Sequence, residues 1–159
     1  MSPRARCRCA FEARAVYVRH MDFDEYRGYD ATGLAKLVAE KQVSAKELLT
    51  AAQERVDAVN PEINAIVRDV PAQPSDDLCG PFAGVPFLIK DLDQDYKGLP
   101  TSAGSRALMS APAAEHATVV QRWIDAGLVI FGKTNTPEFG TKGITEPVAW
   151  GTTRNPWDL

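Results

Sequence analysis

An α/β fold is predicted, with a helical N-terminal region packed beside a largely parallel sheet. Two apolar runs of strand length predict it, Val85 to Leu92 and Leu128 to Phe131, joined by a helical segment from Thr118 to Ala126. A strand, a helix and a second strand in that order form a crossover unit, and such units pair their strands in parallel. Upstream, residues 30–60 carry two stretches of helical periodicity with their own start signals, which places helices ahead of the sheet.

Each element has a local reason. Asp30 is a helix N-cap, after which Leu34, Leu37 and Val38 fall on one face. Ser44-Ala-Lys-Glu47 has the capping-box spacing, in which each end satisfies the other's free backbone donor. Leu48, Leu49, Ala52, Val56 and Val59 form the stripe of that second helix, and Asn60-Pro61 is expected to stop it. Ile63 to Val67 reads as a short strand. Residues 71–82 hold three Pro, two Asp and a Gly, and read as a linker loop. Gly98-Leu-Pro-Thr101 opens an irregular segment. In the helix from Thr118, Val119, Val120, Trp123 and Ile124 are apolar, and Gly127 stands at the C-terminal cap position. The second strand is expected to end at Gly132. The domain reading is a basic tail at 1–20, a helical region at 21–70, the linker at 71–82 and the first part of an α/β core at 83–159.

Composition narrows the function classes. Of 159 residues, 45% are apolar and 25% charged, which is ordinary globular composition. A net charge of −3 argues against nucleic acid as partner, since phosphate binding needs a basic surface. No run approaches the roughly 18 consecutive apolar residues that span a bilayer. Residues 1–20 hold five Arg against Glu12, a local +4 that leaves −7 for the remainder. This tail lacks a secretory apolar region. It fits a transit peptide loosely, and an over-extended start with Met21 as the true initiator better. Cys7-x-Cys9 has no further Cys pair or His at zinc spacing and reads as incidental thiols. Cys79 is alone in a loop. Without a disulfide framework, the cytoplasm is the expected compartment.

Lys90 is the candidate for chemistry. It ends an apolar strand, and alternation places it on the face of Leu88 and Leu92, while Asp91 turns to the other side with Ile89 and Asp93. The amine is therefore expected among aliphatic neighbours, away from its nearest acid. A lysine base must be neutral, so its pKa of ~10.4 must fall by roughly three units, or about 4 kcal/mol. Full burial can shift a lysine by up to about 3–5 units, so desolvation suffices without a special partner. Pattern alone favours a simpler reading, in which Lys90 snorkels from the strand end to water.

The wider context changes that balance. Gly84-Val-Pro-Phe-Leu-Ile-Lys-Asp91, Gly98-Leu-Pro-Thr-Ser-Ala-Gly-Ser105, Ala117-Thr-Val-Val120, Ala126-Gly-Leu-Val-Ile-Phe-Gly-Lys-Thr-Asn135 and Thr153-Arg-Asn-Pro-Trp157 follow one another as in the amidase signature family. The resemblance covers roughly residues 28–159 and is strongest from Gly80. Gly132-Lys-Thr-Asn-Thr-Pro-Glu-Phe-Gly140 and Thr145-Glu-Pro-Val-Ala-Trp-Gly151 look closest to members that hydrolyse 6-aminohexanoate cyclic dimer, and less like the A-type amidotransferases that work on charged transfer RNA.

The resemblance implies the N-terminal part of a mixed, largely parallel sheet flanked by helices. It implies hydrolysis of a small-molecule amide by a Ser–cis-Ser–Lys triad. One serine attacks the carbonyl, the lysine moves protons through the middle serine, and Gly/Ser-rich backbone donors hold the oxyanion. The lysine maps onto Lys90, and Thr141 falls where the substrate pocket can be lined, although a loop hydroxyl bonded locally is the plainer reading of Thr141. No cofactor, metal, nucleic acid or membrane partner is implied, and a full-length member could form a homodimer. The Gly/Ser-rich stretch with the middle serine is expected a few residues after Trp157, and the nucleophile beyond it. The 159-residue chain is therefore expected to be inactive alone and prone to aggregate. Ser102, Ser105 and Ser110 read as turn residues. His116 reads as a cap neighbour, Lys133 as a solvated lysine, and the three Trp as packing. Three alternatives stand beside this: a non-catalytic amidase-like interaction protein, a fragment of an A-type amidotransferase, and a nucleotide-binding βαβ module. The last lacks any Gly-x-Gly-x-x-Gly or Walker loop.

Overall fold

The computed structural model describes residues 20–75 and 77–158. Most of the basic tail, with Cys7 and Cys9, lies outside the described residues. The first element is a four-residue helix, α1 (Phe23–Tyr26), started by Asp22, whose side chain accepts from the Glu25 N–H at 2.8 Å. Four residues are too few to show a helical period, so sequence patterning passes over it. Helix α2 (Ala31–Ala39) begins as expected at Asp30, whose Oδ1 accepts from the Gly33 N–H at 2.7 Å. Helix α3 (Ala45–Ile63) opens on the complete capping box: Glu47 accepts from the Ser44 N–H at 2.7 Å and gives its own N–H to Ser44 Oγ at 3.2 Å.

Pro61 does not stop α3, which continues to Ile63 and is capped by Asn64 in the left-handed region at φ 50°. A proline withholds one N–H from the carbonyl four residues back. That residue, Asp57, is exposed, so water can take the bond. Asn60 then shapes the exit, its Oδ1 accepting from the Ala65 and Ile66 N–H groups at 2.8 Å. The first strand, β1 (Ile66–Asp69), consequently starts three residues later than the apolar run suggests.

The sheet has three strands in the order β1, β3, β2, with β2 (Pro86–Lys90) and β3 (Val129–Thr134) parallel as predicted. Strand β1 joins the other side of β3 in the antiparallel sense. Strand β3 does not end at Gly132 but continues to Thr134. Gly132 faces Leu88 of β2 and Ile66 of β1, and a Cβ there would lie 2.9 Å from Leu88 Cδ2 and 3.2 Å from Ile66 Cγ2. Here glycine marks a close approach inside the central strand rather than its end.

The crossover helix α4 (Thr118–Asp125) covers one face of the sheet. Val120, Ile89, Ile130 and Val70 form the core between them, with Phe87 and Trp123 edge to face at 5.1 Å. A second core joins α2 and α3 to the entry of β2, through Leu34, Leu37, Leu48 and Val85. The chain leaves α4 through Gly127 at φ +89°, as expected of a cap; a Cβ there would lie 2.7 Å from Ala83 Cα. Apolar side chains remain exposed along the last segment, among them Phe139, Ile144, Val148 and Trp157, the last 93% exposed. Both β1 and β2 are outer strands of the sheet.

Candidate active site

Parallel pairing brings the C-terminal ends of β2 and β3 together, at Lys90 and Thr134. In open α/β sheets, that end is where ligands bind. The loops that follow are tied to each other. The Ala103 N–H donates to the Asp91 carbonyl at 2.9 Å, and the Phe139 N–H to the Ala103 carbonyl at 2.7 Å. Three non-glycine residues here, Asp93, Ala103 and Phe139, lie at φ 49° to 55°. Such backbone persists only where surrounding bonds hold it, and it gathers at functional sites. Gly104 (φ +69°) docks the 102–105 turn so tightly that a Cβ would lie 2.8 Å from the Thr136 carbonyl oxygen. Gly104→Ala is therefore expected to cost about 1–3 kcal/mol, read as a lower urea midpoint with an unchanged slope.

Lys90 is exposed, which corrects the expectation of a desolvated amine at this position. Strand alternation is kept: Ile89 and the following Asp91 are buried, and Lys90 points the other way. However, α4 covers only the Ile89 face, and Leu88 on the Lys90 side is half-buried. The Lys90 N–H donates to Gln94 Oε1 at 2.5 Å. Among the described residues, its amine makes no ion pair.

The buried lysine is Lys133, with no exposed surface, in contrast to its reading as a solvated residue. Its Nζ donates to the Pro100 carbonyl at 2.9 Å and to Thr101 Oγ1 at 2.7 Å, and lies 3.5 Å from Asp91 Oδ1. Burial holds its pKa below the usual lysine value, with the Asp91 carboxylate opposing that fall. Asp91 is equally buried and receives donors from three segments. The Ser102 N–H donates to Oδ1 at 3.1 Å, and Ser102 Oγ to Oδ2. The Trp150 indole N–H reaches Oδ2 at 3.2 Å and Ser102 Oγ at 2.8 Å.

Sequence reasoning misses this cluster. It takes Ser102 for a turn residue and Trp150 for packing, yet both are polar partners of one buried acid. Simple alternation would set Lys133 on the face of Val129 and Phe131, but the register shifts between Ile130 and Gly132 and pairs Lys133 with Ile89, so no local signal marks it. His116 accepts from the Lys97 N–H through Nδ1 at 3.1 Å. Thr141 is exposed, and its Oγ1 donates to the Glu138 carbonyl at 2.9 Å. Its turn is joined to the site through Gly140, which packs against Leu92. No group of His, Cys, Asp and Glu suited to a metal exists among the described residues.

The model of the family described as Amidase matches residues 47–159, a span that holds Lys90, Lys133 and the whole cluster. The chain belongs to the amidase family. Among amidases, it is 48% identical over 135 residues to the 6-aminohexanoate-cyclic-dimer hydrolase of Pseudomonas sp. (strain NK87), covering 82% of this chain and 27% of that enzyme. It is 43% identical over 141 residues to the acylamidase of Rhodococcus erythropolis, covering 81% of this chain and 29% of that enzyme. The solved structure of 6-aminohexanoate cyclic dimer hydrolase superposes with a TM-score of 0.74 at 42% identity, over 82% of this chain and 28% of that one. The expected α/β arrangement is that of the N-terminal part of these amidases, and the chain spans little more than a quarter of their length. No described helix is long and apolar enough to cross a membrane.

Proposed function

We propose that this chain supplies the lysine base of an amidase acting on small, uncharged amides. In that reading Lys90 serves two hydroxyl groups that come from sequence of the kind that follows in the longer relatives. The observation that carries it is the position of Lys90 at the C-terminal end of parallel β2, inside the family match, with its acid neighbour turned away.

The chemistry is an acyl transfer to a serine oxygen. The serine proton passes through a second hydroxyl to neutral Lys90 Nζ as the oxygen bonds to the amide carbonyl carbon. The C–N bond then breaks, and the proton returns by the same relay to the departing nitrogen. Water repeats the sequence on the resulting ester, releasing the acid and restoring the serine. Each attack needs Lys90 uncharged as it begins, and each return of the proton uses the ammonium that Lys90 has become. Covering its face would supply the desolvation. Thr141, on the turn that packs near Leu92, is proposed to line the substrate side. A reducing cytoplasm is the compartment proposed for the protein.

The 159-residue chain alone is expected to show no turnover of 6-aminohexanoate cyclic dimer or of simple acyl amides. Co-expressed with the remaining portion of the Pseudomonas hydrolase, it is expected to form a soluble complex with measurable turnover. A soluble complex without turnover, or turnover by the chain alone, would overturn the reading.

A further inference from the structure

Two lysines and one buried acid meet where β2 and β3 end, and the acid belongs to only one of the lysines. Asp91 directly follows Lys90 in the chain, yet its carboxylate is turned inward and shared among Lys133 Nζ, the Ser102 N–H and hydroxyl, and the Trp150 indole. Its backbone is clamped as well. The Asp91 N–H donates to the Thr134 carbonyl at 3.0 Å, and its carbonyl accepts from Ala103. Asp91 follows the last residue of β2 and continues its bonding to β3, so the alternation of the strand carries on to it, and fixing residue 91 inward fixes residue 90 outward.

We propose that Asp91, Ser102, Trp150 and Lys133 form a positioning assembly that keeps the acid away from Lys90, with Lys133 acting as counter-charge and not as a proton carrier. The purpose assigned to it rests on reading Lys90 as the base; the arrangement and its test do not. An acid free to pair with Lys90 would hold that amine charged and oppose its use as a base. Lys133 satisfies the carboxylate inside the protein. Its own remaining donors are taken by Pro100 and Thr101, so it is closed off from any substrate. Trp150 adds a second function to the anchor, because its ring also lies 5.2 Å from the Arg68 guanidinium, which ties the 145–153 loop to β1.

Lys133 faces Asp91, with Asp95 and Arg68 acting on it at longer range. Lys90 has Asp91, Asp93 and Asp95 as its nearest acids in sequence, of which Asp93 is exposed. Loosening the anchor should therefore change the environment of Lys90 through Asp91.

Competitive trace acetylation of the full 159-residue chain, read by mass spectrometry from pH 7 to 11, tests this without any catalytic assay. Lys90 is expected to label at least tenfold faster than Lys133 in the parent. Trp150→Phe keeps the ring and removes the indole donor; Ser102→Ala removes the hydroxyl donor. Either is expected to slow Lys90 labelling about threefold below pH 10, as the released carboxylate comes within reach across water. Adding Asp91→Asn to either variant should restore the parental rate. Equal labelling of Lys90 and Lys133 in the parent would overturn the proposal. So would a Lys90 profile that stays in place in both single variants, which is what a purely structural cluster predicts. If the labelling result holds and the co-expressed complex is inactive, only the catalytic reading fails.

Discussion

Lys133→Ala is expected to remove about 3–5 kcal/mol of folding stability, the usual cost of deleting one member of a buried ion pair. A domain of this size holds roughly 5–15 kcal/mol in total, so the variant should be largely unfolded in mild denaturant. The loss has two sources. The Asp91 carboxylate would remain buried without its counter-charge, although Ser102 and Trp150 would still donate to it. The space left by the lysine chain lies inside the folded protein, where a cavity forfeits packing as well. Asp91→Asn with Lys133→Met removes both charges together and fills the volume, and should recover at least half of the loss. Urea denaturation followed by circular dichroism separates these outcomes. A Lys133→Ala midpoint within experimental error of the parent would mean the pair contributes nothing to folding.

The same lysine gives stability a pH dependence of known sign. Burial lowers its pKa in the folded state, so between that value and the ordinary ~10.5 the unfolded chain binds more protons than the folded one. Stability from this group therefore rises with pH through that window, and the penalty of burying the charge is fully present below it. Tyr26 acts in the opposite sense. Burial raises its pKa above 10, so the unfolded chain loses its phenol proton first and folding loses stability as pH climbs past 10. The difference between the parent and the doubly neutral variant isolates the lysine from Tyr26.

Much of the fold is legible because local signals carry it. Asp30, the Ser44–Glu47 box, the α4 stripe and Gly127 each specify an element through contacts within a few residues. The parallel pairing follows from the order of elements alone. The failures share a cause. Pro61 and Gly132 read locally as terminators, yet tertiary surroundings override both: water can relieve the first, and the second is required by two flanking strands. The site divides along the same line. Lys90 can be located by its motif and by alternation, whereas its exposure depends on which face of the sheet α4 covers. The Asp91–Lys133 pair joins the residue after β2 to β3, and no periodicity in one segment announces a partner in another. Its recovery needs the register that sets Ile89 beside Lys133.

The decisive functional comparison is between the two lysines. In the co-expressed complex, Lys90→Ala is expected to lower kcat by about 10²–10⁴-fold, the range for removal of a general base, with the complex still folded and soluble. Lys90 is exposed in the 159-residue chain, so its truncation is expected to change the stability of that chain by less than about 0.5 kcal/mol. Lys90→Arg should be as inactive as Lys90→Ala, because a guanidinium stays protonated at any usable pH. The doubly neutral variant at Asp91 and Lys133 should behave oppositely. It is expected to lower the yield of folded complex while retaining kcat per folded molecule within about tenfold, because Lys133 donates to Pro100 and Thr101 and never meets the substrate. Single-turnover rates normalised to folded complex make the assignment. A complex that keeps full kcat with alanine at position 90 but loses it when position 133 is neutral would transfer the base from the exposed lysine to the buried one.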